Sequence, residues 1–229
     1  MMKNLLPIIM LLNSYAVFSQ SNDSLKKTKH HLGVSLSPDY CFRTIKSNAS
    51  NEWIKNSLDT LEVWKLGYTT GLNYEYNFNK KITLATGLLI SNKGEKTKKQ
   101  YTSQPSIFNY NNQYYYLDVP FVIKYNIINE KIKLFVLAGG SCNFFLVQKT
   151  SQITGYKNDD VKVNYYNSTG ISPVNLALVV GFGFECAITK KWSFKAEPIY
   201  RTSITSISNT PLKKYLYSVG LNVGLITSL

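Results

Sequence analysis

Eight stretches of this sequence alternate apolar and polar residues with a period of two, and the connections between them alternate between short and long. The stretches run His31–Phe42, Trp64–Asn77, Lys81–Lys93, Tyr114–Ile127, Ile132–Leu146, Val174–Ala187, Trp192–Ser206 and Lys214–Thr227. Period-two alternation is the signature of a strand with two unlike faces. Each stretch exceeds the roughly 9–11 tilted residues that carry a strand across a bilayer. Short links at Asn77–Lys80, Ile128–Glu130 and Thr189–Lys191 join the second strand to the third, the fourth to the fifth and the sixth to the seventh. Between them lie the long polar segments Arg43–Val63, Gly94–Gln113 and Val147–Pro173, and a shorter last one, Ile207–Lys213. Short turns on one side and long loops on the other are the pattern of a transmembrane barrel. A soluble sandwich has no reason to keep that order. The expected fold is all-β: an eight-stranded antiparallel up-and-down transmembrane β-barrel over residues 31–229, with both termini on the short-turn, periplasmic side. No stretch shows a stripe of period 3.6, and no domain boundary, internal repeat or low-complexity tract interrupts the chain.

The two faces of each strand differ in kind. On the seventh strand Trp192, Phe194, Ala196, Pro198 and Tyr200 oppose Ser193, Lys195, Glu197, Ile199 and Arg201. On the fourth, Leu117, Val119, Phe121 and Ile123 oppose Asp118, Pro120, Val122 and Lys124. A soluble barrel buries its apolar face, whereas a membrane barrel turns it outward. Two features favour the second arrangement. Aromatics gather near strand ends (Trp64, Tyr74, Tyr76, Tyr115, Tyr125, Trp192, Tyr200, Tyr215, Tyr217), where interface girdles sit. Glycines gather on the polar face, where an eight-stranded interior is crowded. The polar face then encloses Asp39, Lys65, Glu75, Asp118, Lys124, Glu185, Lys195, Glu197 and Arg201. Isolated buried charges cost several kcal/mol, so these should pair. The expectation is a salt-bridged, filled lumen without an open pore. The alternative is a soluble exported barrel of lipocalin type, with the apolar face inward around a small apolar ligand.

The start of the chain supports export. Lys3, the apolar run Leu5–Leu12 and the small residues up to Ser19 read as a secretory signal over 1–19, followed by a flexible lead-in over 20–30. Beyond it no run of about 18 apolar residues occurs, so a membrane-embedded form crosses with strands. Charged residues make up 17% of the chain and aromatics 14%, fitting a surface that meets headgroups as well as water.

The net charge of +13 invites a nucleic-acid reading, which export argues against. Outer-membrane lipid and lipopolysaccharide are the expected neighbours, with Lys93, Lys96, Lys98 and Lys99 in the second long loop as phosphate contacts. Tyr110, Tyr114, Tyr115 and Tyr116 beside that loop read as an interface girdle, or with the lysines as a glycan- or partner-binding surface. A protein partner at the outer loops or periplasmic turns and a monomeric state complete the expectation. No catalytic residue, cofactor or metal site is expected. His30 and His31 are the only histidines and precede or open the first strand, which leaves no histidine for a triad or cage in the barrel. Asp159-Asp160 lack the ligand count of a calcium site. Glu197 and Asp118 lie on strands that are not sheet neighbours, and ion pairing accounts for both better than glycosidase chemistry. Cys41, Cys142 and Cys186 lack ligand spacing and read as apolar fillers.

Three segments carry a resemblance. Tyr116-Leu117-Asp118-Val119-Pro120-Phe121 resembles the "YLEIP" strand of the PorT-like outer-membrane β-barrel family of Bacteroidota. Glu197-Pro198-Ile199-Tyr200-Arg201 resembles its late "EPxYR" strand, and Tyr217–Gly224 is similar to its closing strand. The likeness spans His31 to Leu229. It implies an outer-membrane barrel from a family of mostly unassigned function, some members of which serve secretion and gliding machinery. Such barrels usually end in an aromatic residue, whereas this sequence ends Ile226-Thr227-Ser228-Leu229.

Overall fold

A computed structural model describes residues 29–98, 100–101, 106–129, 132–156 and 159–229. The export segment 1–19 and most of the lead-in lie outside the described residues. Eight long strands form a ring: β1 (His30–Lys46), β3 (Lys65–Asn77), β4 (Ile82–Thr97), β6 (Ser106–Asn129), β7 (Ile132–Tyr156), β9 (Val174–Ala187), β10 (Trp192–Ser203) and β11 (Lys213–Ser228). Each pairs antiparallel with the next, and β11 pairs back onto β1, from His31 against Ser228 to Lys46 against Lys213. Closure satisfies the backbone of every strand in turn, the condition for spanning a bilayer with sheet. No helix of the described residues is long and apolar enough to cross a membrane.

The short turns follow local side-chain chemistry. Asn79 Oδ1 accepts from the backbone N–H groups of Lys81 and Ile82 at 2.8 Å each. Thr189 Oγ1 plays the same part for Trp192 at 3.0 Å. Such side chains stand in for a backbone turn partner, which lets the strands reverse within a few residues. Both ends of the described chain meet on this side, where Leu229 N–H donates to His30 O.

Orientation of the faces excludes the soluble alternative. Val34, Leu36, Leu66, Leu72, Leu88, Phe121, Ile123, Phe182 and Val219 all stand exposed on the outer wall, Leu66 at 70%. An apolar band around a whole barrel is stable only against lipid. Trp64, Tyr125, Trp192 and Tyr200 stand exposed toward its rims, and Tyr40 stacks on Trp64 with ring centroids 3.8 Å apart.

The long connections depart from the expectation of loops. The first contains α1 (Glu52–Leu61), an amphipathic helix with no buried residue, and β2 (Glu62–Val63), which pairs with β4. Its 10 residues are too short for a sustained stripe to stand out in the sequence. The second and third are largely sheet. β6 and β7 stay paired out to Ser106 and Tyr156, β5 (Gln100–Tyr101) adds to β6, and β8 (Asp159–Asn167) adds to β7. Outside the membrane neither face has to be apolar, so these strands lose the alternation that marks the others. Inside the ring two apolar clusters join the polar face. Val122, Phe135, Leu137, Val179 and Ile199 fill the β6–β10 side, and Tyr114, Tyr116, Ile207 and Leu216 close the outer end.

Candidate functional site

The interior charges are arranged in levels. At the centre, Lys124 of β6 bridges Glu75 of β3 at 2.8 Å and Glu197 of β10 at 2.5 Å. Lys195 bonds Glu75 at 3.0 Å and stands 3.7 Å from Glu197. Asn222 of β11 donates to the second oxygen of Glu197 at 2.6 Å. Two lysines and two glutamates thus form a neutral tetrad across the barrel, with all four side chains at most 6% exposed. The Lys124 ammonium also lies 4.6 Å from the centre of the Phe135 ring, a cation–π contact on the apolar wall.

Toward the periplasm, Lys133 pairs with Glu185 at 2.8 Å. Toward the outside, Arg201 meets Asp39 at 3.0 Å, and Ser37 and Thr69 donate to the same carboxylate at 2.6 and 2.5 Å. A glycine makes room there: a Cβ on Gly220 would fall 1.9 Å from Asp39 Oδ1. Lys93 pairs with Asp118 at 2.7 Å. Lys65 donates to the Asn92 side chain and has no carboxylate within ion-pair distance among the described residues.

At the mouth, Lys214 pairs with Glu95 at 3.1 Å, and Tyr114 and Asn112 donate to the same oxygen. Arg43 reaches from β1 to both Asp59 of α1 and Glu62 of β2, and so ties the helix to the outer end of β1. The two carboxyls respond in opposite directions. Burial pushes Asp59 upward, but the bonds and charges of Arg43 and Lys55 outweigh it and hold Asp59 below the usual carboxylate range. Burial and the nearby charge of Glu95 push Glu62 above that range, against the pull of Lys214 and Arg43.

The interior retains a cavity of about 60 Å³ beside Lys93, Asp118, Lys124 and Arg201, space for roughly four or five waters. Ser91 Oγ, Tyr116 OH, Asp118 Oδ1 and Ser218 Oγ are buried without a protein partner, and buried polar groups of this kind are ordinarily hydrated.

All nine interior charges named from the sequence lie on the inner wall, and sequence reasoning missed Lys93, Glu95, Lys133 and Lys214. Lys93 and Glu95 continue the inner face of β4 after Leu89 and Ser91, so carrying the alternation two steps further finds them. Lys93 is therefore not an outer-loop residue: it is 6% exposed and points at Asp118. Lys96 lies 5.1 Å over the Trp64 ring, Lys98 is exposed, and Lys99 lies outside the described residues. Tyr114 and Tyr116 are likewise neither girdle nor surface. They face inward and plug the outer end, because the girdle faces lipid and these two share the parity of Asp118 and Lys124. Asp118 and Glu197 are each held by a lysine. His30 bonds the Tyr74 hydroxyl and His31 the Asn77 amide, and the three cysteines are free thiols.

Residues 18–209 match the family model described as outer membrane protein beta-barrel domain. The chain belongs to this family. Its place is the outer membrane. Among solved structures, it is similar to neisserial surface protein A, at 13% identity over 88% of this chain and 98% of that one, with a TM-score of 0.46. It is also similar to the outer membrane protease OmpT from Escherichia coli, at 10% identity over 91% and 99%, with a TM-score of 0.47. For Ail, the attachment invasion locus protein of Yersinia pestis, the values are 14%, 86%, 98% and 0.32. No curated protein sequence matches the chain.

Proposed function

We propose that this outer-membrane protein is a closed, non-enzymatic anchor that recruits a protein partner outside the cell through the free edge of β8. The observation that carries the reading is the continuation of β6 and β7 past the lipid-facing belt. Beyond the bulge at Tyr115 and Tyr116 they remain paired from Tyr114 against Gln148 to Ser106 against Tyr156. Those nine rows extend roughly 30 Å at the usual strand rise. Among the described residues β8 pairs only with β7, so its other side offers a row of unpaired backbone groups. Exposed edges are normally short, charged or covered. This one carries Asp159, Asp160 and Lys162, yet it is 9 residues long and shows Val161, Val163, Tyr165 and Tyr166 at the surface. Such an edge suits a partner that adds an extended strand, with backbone bonds supplying affinity and the flanking side chains specificity.

The filled lumen supports an anchor over a channel, and the ties on Asp118 and Glu197 support a non-enzymatic role. The resemblance to PorT-like barrels makes a secretion or gliding component the partner class to test first. A photo-crosslinker at position 163, in cells of the native host, should trap one defined protein. The adduct should vanish with Val161→Lys while the barrel keeps its heat-dependent gel shift. An unchanged adduct, or none above that seen from the lipid-facing position 34, would refute the reading.

A further inference from the structure

On the far side of the ring from β6 and β7, the seam between β1 and β11 ends in two lysines. Lys46 and Lys213 are direct cross-strand partners. Both are exposed, and neither pairs with a carboxylate among the described residues. Most other lysines of the barrel wall have one: Lys93, Lys124, Lys133, Lys195 and Lys214 each hold an acid. Like charges placed directly opposite on a sheet repel each other, so this pair is stable only with an anion between or beside it, or in full contact with water.

Their height and direction decide between those two. Along β1, Tyr40, Phe42, Thr44 and Lys46 share the parity of the lipid-facing side chains, and along β11 Val219, Tyr217, Tyr215 and Lys213 do so. Phe42 packs edge-on against Tyr217, and the Lys46 ammonium lies 5.1 Å over the Tyr215 ring. The two lysines therefore stand on top of an aromatic column that faces lipid, at the level of headgroups. A cleft of 390 Å³ opens there, lined besides the lysines by Ser47, Asn48, Asn209, Thr210 and Pro211. Its far wall is anchored: Asn209 N–H donates to Gly170 O at 2.9 Å, and its side-chain oxygen accepts from the Ser172 hydroxyl at 2.9 Å. Thr210 spends its hydroxyl proton on Leu212 O, but two ammonium groups with the Ser47 hydroxyl and the Asn48 and Asn209 amides in one cleft are complementary to a phosphate group.

We infer that Lys46 and Lys213 hold a phosphate of an outer-leaflet lipid headgroup in this cleft. The site fixes the barrel's rotational setting among its lipids, and it supplies a phosphate contact that Lys93, turned inward onto Asp118, does not.

The test uses the full chain purified in detergent, titrated with a phosphorylated lipid A and with its dephosphorylated counterpart, and read by native mass spectrometry. At roughly five- to sixfold in affinity per lysine near an anionic membrane surface, Lys46→Gln with Lys213→Gln should weaken the phosphorylated lipid about thirtyfold. The dephosphorylated lipid should bind the unaltered protein as weakly as the variant binds the phosphorylated one. Lys162→Gln, which removes a charge from β8, should change nothing. Equal affinity of the double variant and the parent, or no preference for the phosphorylated lipid, would overturn the site. Inorganic phosphate at low millimolar concentration should fail to displace the lipid; full displacement would assign the cleft to a soluble anion and overturn the lipid assignment.

Discussion

Lys124 is the keystone of the interior, and replacing it with methionine separates its charge from its volume. With an effective dielectric constant near 20, contacts at 2.8 and 2.5 Å are each worth about 6 kcal/mol of gross attraction. Desolvation offsets much of that, and removal of one partner from a buried pair typically costs about 3–5 kcal/mol because a charge is left behind. Lys124→Met leaves Glu75 and Glu197 sharing Lys195, one negative charge in excess. Glu197→Gln leaves Lys124 and Lys195 sharing Glu75, one positive charge in excess. The double variant leaves Glu75 and Lys195 at their 3.0 Å contact with no excess charge. Each single change should therefore cost about 3–5 kcal/mol, and the double change should cost about 2–3 kcal/mol less than their sum. The assay is urea unfolding of the barrel from lipid vesicles, with the heat-dependent gel shift confirming that each variant starts folded. Strict additivity, or a cost below about 1 kcal/mol for Lys124→Met, would refute the claim that the tetrad acts as one neutral unit.

Three further outcomes are expected. In planar bilayers the protein should show no stable conductance, since the tetrad spans the barrel at one end of its 60 Å³ cavity; a sustained open level would contradict the filled lumen. Gly220→Ala should cost about 2–4 kcal/mol in the same unfolding assay, because the new methyl displaces Asp39 from Arg201; an effect within experimental error would mean that the carboxylate has another place to go. The mouth should loosen in acid. Asp59 is held below its ordinary value, so its contribution is complete above about pH 3.9, the unfolded value, and is lost as pH falls through the lower folded value. Glu62 works the other way: its raised value means that protonation on the way down relieves a strained carboxylate before Asp59 releases α1. Amide exchange over residues 52–61, corrected for intrinsic rates, should rise below about pH 4, and Asp59→Asn should exchange fast at every pH. An Asp59→Asn profile that matches the parent would exclude this anchor.

How much of this was legible beforehand follows from where each residue meets a membrane. The walls were readable because lipid requires apolar residues on one face and closure requires paired backbone throughout, so Phe121, Ile123 and Val219 alternate visibly with Asp118, Lys124 and Ser218. The periplasmic turns were readable because Asn79 and Thr189 make their reversals with local bonds. Past the membrane that constraint ends. Asn109 to Gln113 read as a loop because both faces of the strand are wet, and only pairing with β7 makes them sheet. Tyr114 and Tyr116 looked like girdle residues until their parity was fixed by the strand below them.

Sequence by itself determined the eight strands of the ring, the sidedness of the turns and nine of the charges that enter the barrel, since each depends on neighbours one or two residues away. Only the tertiary structure decided that Lys124 meets Glu75 from 49 positions back and Glu197 from 73 positions on. It alone joined Arg43 to the helix of the first long connection and set Lys46 beside Lys213. Those contacts depend on the stagger with which eight tilted strands close, a property of the whole ring that no single segment carries.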